Sequence, residues 1–246
     1  KLNFIRTKFW SLSKKKISTI TCPTSELMND LKKKKIFQEN KITILYDAIL
    51  NIKDFNSKIK NKEFMPPFKI PDSFILSVGR LTKQKNYFYL LNEFKKIVNR
   101  YPDQKLLIVG EGELKEKIEN LINRLNLSNS VFLIGHTNNV YYYMKKAKVF
   151  VLSSLWEEVG FVIVEAALSN SLIISSDCKN GPKEFLENGK AGFLFNNNQE
   201  KDLFNSFILL MEENKKNILE KKIRAKKNSI KFTMFRHQIQ LKKLLH

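Results

Sequence analysis

The chain has 246 residues, 43% of them apolar and 19 of them Phe, enough for one large domain or two smaller ones with a sizeable core. Its two cysteines, Cys22 and Cys178, lie far apart and outside any CxxC pair, which argues against a disulfide scaffold or a zinc site and fits a reducing compartment. A formal charge of +20 raises nucleic acid or an anionic membrane surface as partners, but the lysines are spread out and few alternate with aromatics, so no nucleic-acid platform is expected.

No apolar run reaches the length of a membrane span and no signal peptide is visible, which predicts a cytoplasmic protein. The first residue is Lys1 rather than Met, so a fragment of a longer protein is expected. Ile17–Cys22 reads as a short buried strand. Pro23-Thr24-Ser25 starts a helix through about Lys35, and Ile42–Tyr46 is a second strand. From Ala48 to Asp72 the texture turns polar and Lys/Asn-rich, ending in Met65-Pro66-Pro67, as in a linker or exposed connection.

After Asp72 the chain alternates. Strands are expected at Phe74–Val78, Lys105–Val109, Val131–Ile134, Val149–Leu152, Leu172–Ser175 and Gly192–Phe195. Helices are expected at Asn86–Arg100, Leu114–Leu125, Val140–Ala147, Phe161–Ser169 and Pro182–Glu187, with more helix beyond Gln199. Continuous apolar strands alternating with helices predict an α/β fold, a doubly wound parallel sheet covered on both faces. The division expected is residues 1–72 as a remnant of another domain plus linker, 73–198 as the Rossmann-like domain, and 199–246 as helices packing on it or crossing back.

In such a sheet ligands bind at the carboxyl ends of the strands, so the loops there matter most. In "SVGRLTKQKN", Gly79 lets the backbone turn, and Arg80 and Lys85 flank the next helix start, an arrangement suited to a phosphate or diphosphate. Two ordinary surface cations are the alternative. "VGEGEL" lacks the third glycine of a dinucleotide fingerprint, Lys115 standing in its place, and reads as a structural turn. In "FLIGHTNNV", His136 follows Gly135 at the strand end; a nucleotide base could lie against this backbone, or His136 is a surface residue. In "SSLWEEVGFVIVEAALSNSLIISSD", Glu157 sits in the loop and Glu165 about one turn into a helix that begins after Gly160. The two acids bracket an electropositive helix start, and carboxylates accept hydrogen bonds from sugar or ribose hydroxyls. A satisfied semi-buried Glu165 and a capping Glu157 remain the alternative.

Here the residues match a family. "SLWEEVGFVIVEAA" resembles the E-x7-E motif of retaining glycosyltransferases with the GT-B fold, glycosyltransferase family 4, in the variant form E-[DE]-x-GFV-x-x-EA. "ILSVGRLTKQKN", "LLIVGEGEL", "VFLIGHTNNVYYYMKKAKVFVLSSLWE" and "NGPKEFLENGKAGFLF" resemble the family's successive segments, so the likeness covers residues 74–196. Upstream, "CPTSELMNDLKK" and "KITILYDAI" look like the last helix and strand before its interdomain linker. Val159 stands where related sequences often carry Pro, and most of the N-terminal domain that supplies the acceptor site and often a catalytic His has no counterpart here. His136 does not replace that His.

The resemblance implies that Arg80 and Lys85 neutralise a donor diphosphate, that Glu165 holds the ribose hydroxyls, and that Glu157 lies near the transferred sugar. The backbone at Gly160, Phe161 and Val162 would contact sugar and phosphate. The implied donor is a UDP- or GDP-linked sugar and the acceptor a glycan or lipid-linked molecule. No metal or other cofactor is expected, and the chain has no D-x-D pair. Lys14-Lys15-Lys16 and Lys32–Lys35 could draw the protein to the inner face of a membrane. Two rivals stay open: a non-catalytic nucleotide-sugar-binding fragment that needs a partner domain, and a basic nucleic-acid-binding protein.

Overall fold

The computed structural model describes residues 8–10, 12, 15–197 and 199–245. Lys14, and the segment ends Lys1, Asn198 and His246 named above, lie outside the described residues. The first unit is a small βαβ: β1 (Ile20–Cys22) pairs in parallel with β2 (Ile42–Ile44), and α1 (Ser25–Lys33) connects them. Both strands are shorter than the apolar runs predicted, Ile17–Thr19 and Leu45–Tyr46 falling outside the pairing. The helix starts where Thr24 turns extended and its hydroxyl accepts from the Leu27 N–H at 3.2 Å. Cys22, Phe37 and Ile42 form the small core beneath it.

The segment read as a connection from Ala48 to Asp72 contains a helix, α2 (Ile52–Lys60), and this corrects the sequence reading. Asn51 caps it, accepting from the Lys53 and Asp54 N–H groups. Phe55 is buried, with Ile59 partly so on the same face, and Leu50 just upstream is fully buried. These few apolar residues hold the helix, and the surrounding Lys and Asn mask them in composition.

Six parallel strands follow: β3 (Ile75–Val78), β4 (Leu106–Val109), β5 (Val131–Gly135), β6 (Val149–Leu152), β7 (Ile173–Ser176) and β8 (Phe193–Phe195). Their order is β5-β4-β3-β6-β7-β8, and β3 pairs with β6 in parallel at Ile75↔Val149 and Leu76↔Phe150. The crossovers are α3 (Tyr87–Arg100), α4 (Lys115–Arg124), α5 (Val140–Lys146), α6 (Phe161–Leu168) and α7 (Pro182–Phe185). Side chains alternate between two cores. Ile75, Leu106, Ile108, Val149 and Val151 face α3 residues such as Leu90 and Phe94. Leu76, Leu107, Val109, Phe150 and Leu152 face the other way, toward Ile163, Val164 and Ala167 of α6. Burial of both faces is why these strands read as unbroken apolar runs.

Three helices close the chain: α8 (Asp202–Glu212), α9 (Lys215–Ser229) and α10 (Met234–Leu245). Glu93 of α3 is almost fully buried and accepts from the Lys201 and Phe204 N–H groups, capping the start of α8 with a charge that suits a helix N-terminus. Ala225 of α9 enters the same core as α6. The chain then returns to its beginning: the Ile49 and Leu50 N–H groups donate to the Phe232 carbonyl, and the Met234 N–H donates to the Leu50 carbonyl. His237 Nδ1 lies 2.7 Å from the Tyr46 carbonyl oxygen. A second tie runs between Glu184 and α1, where the carboxylate accepts from the Ser25 and Glu26 N–H groups, while Glu26 accepts from the Asn180 N–H. No helix among the described residues is long and apolar enough to cross a membrane.

Candidate functional site

The strand order reverses between β3 and β6, and in a doubly wound sheet the crevice lies outside the strand ends at that point. The loops after these two strands are stitched together. The Leu155 N–H donates to the Gln84 carbonyl at 2.8 Å, the Gln84 side chain to the Trp156 carbonyl at 2.9 Å, and the Ser153 hydroxyl to the Lys85 carbonyl at 2.7 Å. Between them opens a cleft of about 560 Å³. Gly79, Arg80, Lys85, Glu157, Gly160, Phe161, Val162 and Glu165 all line it. That volume is in the range of small-molecule sites. A cavity of about 50 Å³ between Thr24, Tyr46 and Glu184 is too small for such a ligand.

Each side chain has a local reason for its place. Leu81, fully buried, anchors the first loop. Its N–H donates to the Glu111 carbonyl, and its own carbonyl accepts from the Leu114 N–H. The "VGEGEL" turn therefore supports the first loop by backbone contact, in keeping with its reading as structural. Arg80 projects into the open cleft as an exposed cation. The Lys85 stem runs across Gly79, where an added Cβ would meet Lys85 Cε at 3.0 Å. Its ammonium reaches Glu157 Oε1 at 2.6 Å, and the buried Ser154 hydroxyl donates to the same oxygen at 2.6 Å. Glu157 is thus a nearly buried, paired acid rather than a free loop carboxylate.

Gly160 sits at φ +77° and turns the chain into α6, a conformation that a side chain disfavours. The first N–H groups of any helix lack intrahelical partners, and those of α6 belong to the cleft-lining residues. One turn on, Glu165 is half-buried and accepts from the Tyr141 hydroxyl at 3.3 Å. Burial pushes its carboxyl above the ordinary value, opposed in part by the Tyr141 hydrogen bond and the Lys58 charge. The cleft therefore offers an exposed cation, a paired cation, a helix start and a half-buried acceptor, with the exposed carboxylate of Glu158 also in its lining.

His136 is not among the residues of the cleft. It is exposed at the end of β5, the outermost strand, two strands away from the β3–β6 crevice. Gly135 at the strand end gave the sequence signal, but strand order could not be read from it. Conversely, Ser154, Tyr141, Gln84 and Trp156 take part in or line the site without having been singled out. Ser154 carried a signal, a small polar residue between a strand end and an acid. Tyr141, in "VYYYMKK", carried none. Among the described residues no group of three or more His, Cys, Asp or Glu is placed to hold a metal.

Fold and cleft together define a doubly wound α/β domain whose switch-point crevice carries two cations, Arg80 and Lys85, and three carboxylates, Glu157, Glu158 and Glu165. The family described as "Glycosyl transferases group 1" matches residues 58–232, and the chain belongs to that family. An uncharacterized glycosyltransferase of Methanocaldococcus jannaschii is 40% identical over 154 residues, covering 62% of this chain and 37% of the relative. The N-acetylgalactosamine-N,N'-diacetylbacillosaminyl-diphospho-undecaprenol 4-alpha-N-acetylgalactosaminyltransferase of Campylobacter jejuni is 30% identical over 220 residues, 86% of this chain and 58% of that enzyme. The chain therefore spans between about a third and three-fifths of the length of these relatives. Among solved structures, Staphylococcus aureus TarM, crystallised with UDP, superposes with a TM-score of 0.76 at 24% identity over 96% of this chain and 45% of TarM. The shared fold is that of the GT-B glycosyltransferases.

Proposed function

We propose that the chain is the donor-binding half of a retaining glycosyltransferase of family 4, which moves a hexosyl unit from a nucleotide-diphosphate sugar to a glycan or lipid-linked acceptor. The observation that carries this reading is the convergence of Arg80, Lys85, Glu157, Glu165 and the start of α6 on one cleft at the switch point. The segments come from residues 79–85 and 156–165, so their meeting follows from sheet topology rather than from closeness in sequence. The E-x7-E pair is Glu157 and Glu165. Glu165 would accept the ribose hydroxyls. Arg80, Lys85 and the α6 N–H groups would stabilise the diphosphate as the bond from the sugar anomeric carbon to the phosphate oxygen breaks and that oxygen keeps the electron pair. The acceptor oxygen would bond the same carbon on the same face and pass its proton to the leaving phosphate. No protein base and no metal enter this scheme. A uridine donor is favoured by the UDP bound in TarM, and a lipid-linked acceptor by the name of the Campylobacter relative.

Calorimetry with nucleoside, nucleoside diphosphate and nucleotide sugar tests the reading. Glu165→Gln keeps the shape but loses charge-assisted bonds, and should weaken all three ligands by about 1.5–3 kcal/mol, nearly independent of salt. Arg80→Ala should spare the nucleoside and weaken the other two, the loss shrinking as ionic strength rises. Equal losses for Arg80→Ala with nucleoside and diphosphate would remove the diphosphate assignment. Stability should move in the opposite sense to affinity for Glu165→Gln. Because the folded carboxyl lies above its ordinary value of 4.5, the stability it lends is fully present below that pH and is lost as pH rises through the folded value. The Gln variant should therefore melt higher than wild type at pH 7–8, with the difference vanishing below about pH 4.5.

The reading extends to peripheral contact with an anionic membrane, as suits a lipid-linked acceptor. Lys15, Lys16 and Lys33, Lys34 and Lys35 are exposed, as are Phe9 and Trp10 nearby in the chain. Each well-placed charge would contribute about 1 kcal/mol at low salt. Liposome sedimentation should favour anionic over neutral vesicles; equal partition would remove this extension.

A further inference from the structure

We propose that Tyr141 is a positioning residue for donor binding, its hydroxyl fixing the Glu165 carboxylate in the orientation that receives the ribose; this rests on the donor-site reading above. The Tyr141 hydroxyl lies 3.3 Å from Glu165 Oε1, and the residue is only 6% exposed. A carboxylate so held keeps its other oxygen for a ligand in the cleft that Glu165 lines. Without the Tyr141 bond, the Glu165 side chain would regain rotamer freedom that binding must then remove.

Tyr141 is itself held from outside the sheet. The Phe55 ring of α2 meets the Tyr141 ring edge-on, with centroids 5.0 Å apart and planes at 80°. The Lys58 ammonium stands 6.0 Å from the Tyr141 centroid and pairs with Asp54 at 2.9 Å. The Asn139 side chain donates to the Lys58 carbonyl at 2.9 Å while its oxygen caps α5, accepting from the Tyr142 N–H. Helix α2 and the first turn of α5 thus form one locked corner behind Glu165. The helix that the sequence hides in a polar connection has, on this reading, a role in aligning the site.

The electrostatics agree with the geometry. Burial and the neighbouring Glu165 charge push the Tyr141 phenol far up, so it remains a donor throughout the working range. The groups acting on Glu165 are Tyr141 from α5 and Lys58 from α2, both favouring its ionised form. Asp54 of α2 bears on Tyr141 in turn. Arg80 and Lys85 face the same cleft from the β3 loop, Glu157 and Glu158 from the β6 loop, and α9 meets α6 through Ala225.

Tyr141→Phe retains the ring packing against Phe55 and removes only the hydroxyl. The test is a calorimetric cycle with Tyr141→Phe, Glu165→Gln and the double variant, using whichever of UDP-glucose and GDP-mannose the wild type binds more tightly. Both probes are diphosphate diesters that do not titrate between pH 5 and 8. Tyr141→Phe should weaken binding about fivefold in the wild-type background, the size of one ordinary hydrogen bond, since the lost bond acts on the ligand only through Glu165. In the Glu165→Gln background it should have no further effect. As the solution is acidified, affinity of Tyr141→Phe should fall away at a higher pH than that of wild type, because the carboxyl has lost a group that favours ionisation. A merely structural role would leave that acid limb in place. An undiminished loss in the Glu165→Gln background, or an unshifted acid limb, overturns the positioning role. Failure of the wild type to bind either sugar nucleotide, or unaltered binding by Glu165→Gln, rejects the donor-site reading and the proposal with it.

Discussion

Lys85→Ala is expected to lower the stability of the chain by about 3 kcal/mol, far more than loss of an ordinary lysine from so basic a protein. The Lys85–Glu157 pair is 2.6 Å long, and its side chains are only 15% and 8% exposed. Truncating the lysine leaves a nearly buried carboxylate with the Ser154 hydroxyl as its remaining side-chain donor. An uncompensated buried charge costs several times what an exposed pair contributes. The comparison within the same molecule is Lys115, which pairs with Glu111 at 3.3 Å where both side chains are about half exposed, 45% and 47%. Lys115→Ala should cost no more than about 0.5 kcal/mol. The double variant Lys85→Ala/Glu157→Ala should recover much of the loss, because it removes the stranded charge together with its partner. Urea unfolding of the wild type and these three variants measures this. If Lys85→Ala proves as mild as Lys115→Ala, the pair is not the buried brace that the geometry describes, and Lys85 is an ordinary surface cation after all.

That outcome bears on what the sequence could convey. The sheet was legible because both faces of its inner strands are buried, so Leu106–Val109 or Val149–Leu152 appear as bare apolar runs. The cleft was legible in outline because Gly79 and Glu157 sit in loops after strand ends and Gly160 and Glu165 at the start of the helix that follows, where a doubly wound fold puts its ligands. Strand order was not legible. His136 follows a glycine-terminated strand just as Arg80 does, and only the placement of β5 at the sheet edge separates them. Side-chain pairing was hidden too. Glu157 read as a loop acid bracketing a helix start, with nothing to show that it braces Lys85 across 72 residues of sequence. Helix α2 was missed because its apolar side, Ile52, Phe55 and Ile59, is spaced at helical intervals but diluted by Lys, Asn and Asp. Local composition carries burial well and long-range partnership poorly, and the site depends on partnership.

Gly110→Ala should be among the most damaging single-methyl additions this chain can receive, costing about 3 kcal/mol or more and abolishing donor binding. Gly110 ends β4 at φ +145°, and a Cβ there would stand 2.0 Å from the Gly79 carbonyl oxygen and 2.9 Å from its carbon. Neither neighbour can yield as a flexible side chain would. The Gly79 peptide is pinned by its own N–H donating to the Val109 carbonyl at 3.0 Å and by the Tyr87 hydroxyl donating to its oxygen at 3.1 Å. Tyr87 is buried to 1% exposure, so it cannot follow the displaced oxygen. The Lys85 stem rests directly on Gly79, so a shift of that peptide also moves the ammonium away from Glu157. Gly189→Ala is the matched control. Its φ is +94°, yet nothing lies within 4 Å of the added Cβ, so only the backbone preference is lost, about 1–2 kcal/mol, with donor affinity unchanged. Thermal unfolding and sugar-nucleotide calorimetry on both variants separate the two effects. A Gly110→Ala protein that unfolds like Gly189→Ala and still binds donor would mean that the strand ends at the switch point move freely apart, and the cleft could not then be the preorganised site that its backbone contacts describe.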